Sequence, residues 1–207
     1  MATKKELRAL VLRHGDTDAN DSNVFRGMLD PGLNDEGVLD AHRAAQFLKK
    51  FQIERIIASP LLRAIETAEI CSGALGGLAI RQDRALLPWQ MGPEFYGKDR
   101  QDLKSRLDHF IDHPDEEPEN GQALNAFIQR VGDFFEYQLS LPSLTLYVTH
   151  TSDVISLTDL INNTVDGRPE QGEVVAPGGI CGVYVEDEGY SIEPIFGHEK
   201  KAEFGTS

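Results

Sequence analysis

The apolar, branched run Leu10-Val11-Leu12 stops at Arg13, His14 and Gly15. A buried strand ends this way when it carries polar side chains to the edge of a sheet. Arginine beside histidine is costly to bury without an anion, since one is charged and the other can become so. Phosphate is the anion such a pair suits best. The pattern recurs twice. Arg55–Ala58 reads as a short buried strand ending in Ser59, with Arg63 in the first turn of the following helix. Leu144–Thr149 is a strongly β-type run that ends at His150. Ligands of open parallel sheets bind beyond the carboxyl ends of the strands. Arg13, His14, Arg63 and His150 are therefore expected to converge. Ser59 is expected to cap that second helix with Pro60 at its first position, adding a helix N-terminus to the anion's stabilisation.

The elements that must position these groups alternate between strand and helix, which predicts an α/β fold. We expect a three-layer sandwich with a mostly parallel central sheet and helices on both faces. Strands are expected at 8–12, 55–58, 78–81 and 144–149, and a closing hairpin at 182–186 and 190–195 with Asp187, Glu188 and Gly189 at its turn. Asn34, followed by Asp35 and Glu36, is expected to cap a helix reaching about Lys50. Further helices are expected at 60 onward, 99–111, 122–139 and 152–161. Residues 1–198 read as one domain and 199–207 as a mobile polar tail. Two stretches read as loops, Pro88–Gly97 (PWQMGPEFYG) and the acidic Asp112–Gly121 (DHPDEEPENG). Trp89, Phe95 and Tyr96 suggest that the first is a lid offering aromatic contacts, although such side chains serve equally well as packing.

A formal charge of −14 opposes nucleic acid and anionic membranes as partners. A phosphate site would be a basic island in a negative surface. No apolar run nears the roughly 20 residues a membrane-spanning helix needs, and MATKKELRAL has no apolar core of a secretory signal. The expected setting is the cytoplasm, with Cys71 and Cys181 as free, buried thiols. Asp115-Glu116-Glu117 has the spacing of a solvated loop, not of a calcium site. His42, His109, His113 and His198 fit no motif and are assigned to surface or loop. Singly, each strand-end residue has an ordinary alternative: His14 as a core histidine, Arg63 paired with Glu66 on its own helix, His150 as a satisfied strand end.

Taken in order, RHGDTDAN, FRGMLDPGLNDEG, SPLLRAIETA and VTH resemble the histidine phosphatase superfamily, and most closely its phosphoglycerate mutase-like branch. The resemblance runs from residue 8 to about 160. It implies that His14 attacks phosphorus and holds a transient phosphohistidine, splitting one displacement into two. Arg13 and Arg63 would fork onto the non-bridging oxygens, with His150 adding donor capacity there. Gly15 would orient the His14 ring, and Asn20, Arg26 and Thr151 would contact substrate. Neither metal nor other cofactor is implied, since the arginines supply the positive charge. The family usually protonates the leaving group from a glutamate four residues before a loop glycine. Here that segment is Pro88-Trp89-Gln90-Met91-Gly92, and proline cannot donate a proton. Glu94 is the first substitute and Asp153 the second. Thr151-Ser152 follows His150 where glycines are common, and Gln122 stands where the family usually has glutamate. The expected activity is a metal-independent phosphomonoesterase acting on a small phosphorylated metabolite. A phosphoglycerate-type mutase and a catalytically impaired phospho-ligand-binding protein are the alternatives, and a homodimer is left open.

Overall fold

The computed structural model describes residues 5–18, 24–162, 175–187 and 189–197. The chain forms a six-stranded sheet in the order β3-β2-β4-β1-β5-β6. Its strands are β1 (Glu6–Arg13), β2 (Arg55–Ala58), β3 (Ile80–Gln82), β4 (Thr145–Thr149), β5 (Ile180–Glu186) and β6 (Gly189–Phe196). The described helices are α1 (Asp35–Leu48), α2 (Leu62–Ala74), α3 (Lys104–Asp112), α4 (Leu124–Leu139) and α5 (Thr151–Asn162). Strands β1 to β4 run parallel, β5 pairs antiparallel with β1, and β6 pairs antiparallel with β5, so the sheet is mixed.

The continuous apolar character of β1 follows from burial on both faces. Ala9 and Val11 enter one core with Ile57, Tyr147 and the inner faces of α4 and α5. Leu10 and Leu12 enter a second core with Ile56, Leu146, Val148, α1 and α2. Strand periodicity alone sorts the neighbours to opposite sides. The parallel register pairs Arg13 with Thr149, so His14 and His150, each one residue further, leave the sheet side by side. Ser59 follows β2 in the same way: its N–H donates to Val148 O at 2.9 Å.

Helix α1 begins as its sequence indicates. Asn34 Oδ1 accepts from Gly37 N–H at 2.8 Å, with Asp35 and Glu36 in the first turn. The second helix differs, because α2 starts at Leu62 rather than Pro60 and has Leu61 at its N-cap. Ser59 Oγ lies 2.8 Å from His150 Nε2 and also accepts from Leu61 N–H at 3.4 Å, while Asp30 Oδ1 accepts from Leu62 N–H at 2.6 Å. Helix α3 is shorter than expected, as Asp99 Oδ1 accepts from Gln101 N–H at 2.7 Å and holds a local turn. Helix α4 starts at Leu124 because the backbone of Gln122 is claimed by the loop before α3. Gln122 N–H donates to Gln90 O at 2.7 Å, and Trp89 Nε1–H donates to Gln122 O at 2.9 Å.

That loop is packing more than lid. Trp89 and Phe95 are buried, and Phe95 meets Phe25 edge to face at a 5.3 Å ring separation. Cys71 and Cys181 are free and buried, and burial pushes the Cys71 thiol up to about 12. His109 pairs with Glu116 at 3.0 Å, on the surface. Among the described residues no helix is long and apolar enough to cross a membrane. Glu188, His198 and the expected tail at 199–207 lie outside the described residues.

Candidate active site

His14 continues the β1–β4 ladder, its backbone N–H donating to Thr149 O at 3.0 Å. Its ring is set by two contacts. Nδ1 lies 2.7 Å from Gly15 O, and a carbonyl only accepts, so Nδ1 carries the proton. Arg63 Nε–H donates to Nε2 at 3.2 Å, which requires a lone pair there. The two contacts assign the same neutral tautomer, with Nε2 as the nucleophilic nitrogen.

Gly15 is held because the start of α1 packs directly on it. A Cβ at residue 15 would lie 2.3 Å from Gly37 O, and one at residue 37 would lie 2.0 Å from Asp16 O. Only glycine permits so close an approach of two backbones. Gly15 N–H donates to Thr67 Oγ1 at 3.1 Å, and that hydroxyl donates to Arg63 O at 2.7 Å. Thr67 therefore ties the turn carrying His14 to the helix carrying Arg63.

The guanidinium of Arg63 is aimed by two carbonyls. Nη1–H donates to Leu29 O at 2.8 Å and Nη2–H to Gly27 O at 3.3 Å. Gly27 has φ +49°, and the Tyr96 ring occupies the space where its Cβ would stand, 2.0 Å from the nearest ring carbon. The Pro88–Gly97 loop thus braces the carbonyls that aim Arg63. A pairing of Arg63 with Glu66 is not found, since Glu66 Oε2 accepts from Leu33 N–H at 2.6 Å.

His150 ends β4, and its carbonyl accepts the first helical bond of α5, from Val154 N–H at 3.1 Å. Its ring centroid is 5.2 Å from that of His14, at 62° between planes. Its Nδ1 is buried without a hydrogen-bond partner among the described residues. Arg13 Nη1–H donates to Val175 O at 2.9 Å. Arg26 is half-buried.

These groups share one electrostatic field. Burial, then the charges of Arg63 and Arg13, holds His14 well below the usual imidazole value of 6.5. Burial does the same to His150, followed by Arg63. Burial and then Arg26 push Arg63 down to about 10, and burial and then Arg100 push Arg26 to about 10. Both arginines stay charged at neutral pH while both histidines stay neutral. The result is a neutral nucleophile facing several confined cations, the arrangement a dianionic phosphoryl group relieves.

The structure therefore brings Arg13, His14, Gly15, Arg26, Arg63 and His150 to one end of the sheet. Thr151 is half-buried beside them as the first residue of α5. Asn20 lies outside the described residues. Glu94 is not brought to the cluster: it is exposed and pairs with Arg106 Nη2 at 3.3 Å. Asp153, in contrast, is 1% exposed in the first turn of α5. The sequence places Ser59 at the site only as a helix cap, and gives Thr67 no place there. Thr67 stands four residues after Arg63, on the same helix face, and that spacing was the available signal.

A mostly parallel α/β sheet with two histidines and several arginines at its carboxyl edge defines a phosphoglycerate mutase-like fold. The pattern of the histidine phosphatase superfamily (branch 1) matches residues 9–194, and the chain belongs to that family. A 2,3-bisphosphoglycerate-dependent phosphoglycerate mutase from Azorhizobium caulinodans is 31% identical over 165 residues, covering 72% of this chain and 79% of the relative. Phosphoglycerate mutase-like protein 4 of Arabidopsis thaliana is 40% identical over 84 residues, 40% of this chain. A glucosyl-3-phosphoglycerate phosphatase of Mycobacterium tuberculosis is 39% identical over 85 residues, 41% of this chain. Those two matches span only 36% and 38% of the relatives' own lengths. Among solved structures, a mycobacterial glucosyl-3-phosphoglycerate phosphatase complexed with VO3 superposes with a TM-score of 0.74 at 23% identity, covering 94% of this chain and all of that one (100%). A phosphoglycerate mutase from Thermus thermophilus gives 0.69 at 23% identity, covering 93% and 99%. At these identities the superpositions bear on the fold.

Proposed function

We propose that this protein is a metal-independent phosphomonoesterase that acts on a small phosphorylated metabolite through a phosphohistidine at His14. The observation that carries the reading is the His14 tautomer. Nδ1–H is spent on Gly15 O at 2.7 Å, and Nε2 faces Arg63 at 3.2 Å. The Nε2 lone pair attacks phosphorus, an N–P bond forms, and the ester O–P bond breaks. Arg13, Arg26 and Arg63 neutralise the non-bridging oxygens, and the neutral His150 ring offers them a donor. Such preorganised donors are each worth on the order of 10²–10³ in rate. Water then attacks the phosphohistidine, and the electron pair returns to Nε2. The guanidinium groups supply the positive charge that phosphoryl transfer needs.

A mutase needs the same first half-reaction and then a second phosphate acceptor. Named relatives include both kinds of enzyme, so phosphate release is the discriminating readout. We expect chelator-resistant phosphate release from p-nitrophenyl phosphate that disappears in His14→Ala. Transfer that requires a phosphorylated primer and releases no phosphate would replace the hydrolase by the mutase. Saturable binding of a phosphate ester with no turnover between pH 5 and 8 would replace both by a binding protein. In keeping with a net charge of −14, we propose a small-molecule partner, not nucleic acid or membrane, and with two free cysteines a cytoplasmic setting.

A further inference from the structure

The leaving ester oxygen needs a proton, and none of the groups already placed at phosphorus supplies one readily. His14 is the nucleophile, His150 is held neutral, and guanidinium is too weak an acid. A carboxyl group is required. Three carboxyls act by charge on the site's arginines: Asp16 on Arg26, and Asp30 and Asp153 on Arg63. Two are committed as acceptors. Asp30 Oδ1 caps the exposed Leu62 N–H at 2.6 Å, and Asp16 Oδ2 accepts from Asn34 Nδ2 at 3.2 Å.

Asp153 is different. It is buried, and its Oδ2 accepts from Ser152 Oγ at 3.2 Å. Ser152 Oγ in turn accepts from Trp89 N–H at 3.3 Å. The carboxyl therefore lies against the backbone that follows Pro88, on the side of the site built by the Pro88–Gly97 loop. Its Oδ1 is buried with no hydrogen-bond partner among the described residues. With Oδ2 occupied as an acceptor, a proton on this carboxyl belongs on Oδ1. The charged groups that act on it are Arg130 from α4 and Arg63 from α2, and burial outweighs them in holding the carboxyl protonated well above its ordinary range.

We propose that Asp153, through Oδ1, protonates the leaving oxygen of the ester and that its carboxylate then takes the proton of the hydrolytic water. The inference rests on the phosphohistidine reading above. In the first step the N–P bond forms at His14 Nε2 and the O–P bond breaks. The electron pair left on the ester oxygen binds the Asp153 proton, and the product leaves as an alcohol. In the second step water adds to phosphorus, Asp153 accepts its proton, and the N–P pair returns to Nε2 as phosphate departs.

The test compares kcat/KM of the native chain and Asp153→Asn on p-nitrophenyl phosphate and on β-glycerol phosphate. An aryl leaving group needs little protonation, whereas an alkoxide needs it fully. We expect a loss of about 10²–10⁴-fold on the alkyl ester and less than about tenfold on the aryl ester. Equal losses on both esters, or none on the alkyl ester, overturn the proposal, as does a leaving-group-selective loss found in Glu94→Gln instead. Should Asp153→Asn fail to fold, native kcat/KM across a series of aryl phosphates decides. A nearly flat dependence on leaving-group basicity that Glu94→Gln leaves unchanged supports Asp153 as the acid, and a steep one, or one that Glu94→Gln steepens, overturns it. Hydrolysis that survives in His14→Ala, or a native chain inactive on every ester, fails the phosphohistidine reading itself. With native activity and His14 dependence intact, a symmetric loss in Asp153→Asn fails only the proposal.

Discussion

The two sides of the site are built differently. The side that would face phosphate is assembled from strand ends and the start of α2, and three of its groups have their own backbone braces. His14 leans on Gly15 O, Arg63 on Leu29 O and Gly27 O, and Arg13 on Val175 O. The side that would face the leaving group combines the Pro88–Gly97 loop with the first turn of α5. There the braces are side chains: Ser152 between Trp89 and Asp153, and Arg130 donating to Ala85 O at 2.6 Å and to Gln122 Oε1 at 3.3 Å. Phosphate recognition demands fixed charge at fixed places, which strand ends supply. Proton delivery demands only a carboxyl of suitable acidity within reach, so a neighbouring element can take it over.

The largest expected effect tests whether the phosphate side does chemistry at all. His14→Ala should reduce ester hydrolysis by on the order of 10⁴–10⁶-fold, and acid-quenched labelling with a radioactive ester should show no phosphoenzyme. A labelled protein in that variant would end the distinction between the two sides. Arg63→Lys keeps the charge but loses the planar fork and its hold on two carbonyls. It should cost about 10²–10³ in kcat/KM on alkyl and aryl esters alike, unlike the selective loss expected of Asp153→Asn.

Thr67→Val removes the hydroxyl that joins Gly15 to Arg63 and leaves a buried N–H unpaired. The expected cost is about 1–3 kcal/mol of stability, read by urea unfolding. The smallest effect separates the two sides by pH. Asp153 is raised above its ordinary 3.8, so the folded state keeps a proton that the unfolded chain gives up. That contribution is present at acid pH and is lost as pH rises through the folded value. The stability advantage of the native chain over Asp153→Asn should therefore shrink as pH rises from about 4 toward neutrality. His14 and His150 act with the opposite sign. The unfolded chain takes up protons below the ordinary imidazole value of 6.5 while the buried rings resist, so their part of the stability falls as pH drops below about 6.5. Unfolding curves between pH 4 and 8 on the two chains measure both slopes.

Arg13, His14 and His150 were legible because each follows a strand whose apolar run announces it, whereas Arg26, in the loop after β1, came only from the family resemblance. Leu10–Leu12 leads to Arg13-His14, and Leu146–Val148 to His150, and local pattern suffices when strand and ligand are adjacent in sequence. The reading failed where a side chain had competing partners. Ser59 looks like a helix cap, but α2 starts at Leu62 and the Ser59 hydroxyl is shared between Leu61 N–H at 3.4 Å and His150 Nε2 at 2.8 Å. Trp89 and Phe95 look like lid aromatics, but the core of Phe25 and Phe110 claims Phe95. Glu94 looks like a spare acid in the right loop, but Arg106 on α3 holds it at the surface.

The amino-acid sequence by itself determined the α/β alternation, the strand ends and the family. It also put proline at residue 88, where the resemblance implies a carboxylate, because these depend on periodicity and residue type along a short stretch. Tertiary structure alone decided the parallel register that levels His14 with His150, the carbonyls of residues 27 and 29 that aim Arg63, and the burial of Asp153. Register and burial depend on groups far apart in the chain, and the same side chain becomes a cap, a brace or an acid according to which of them arrives.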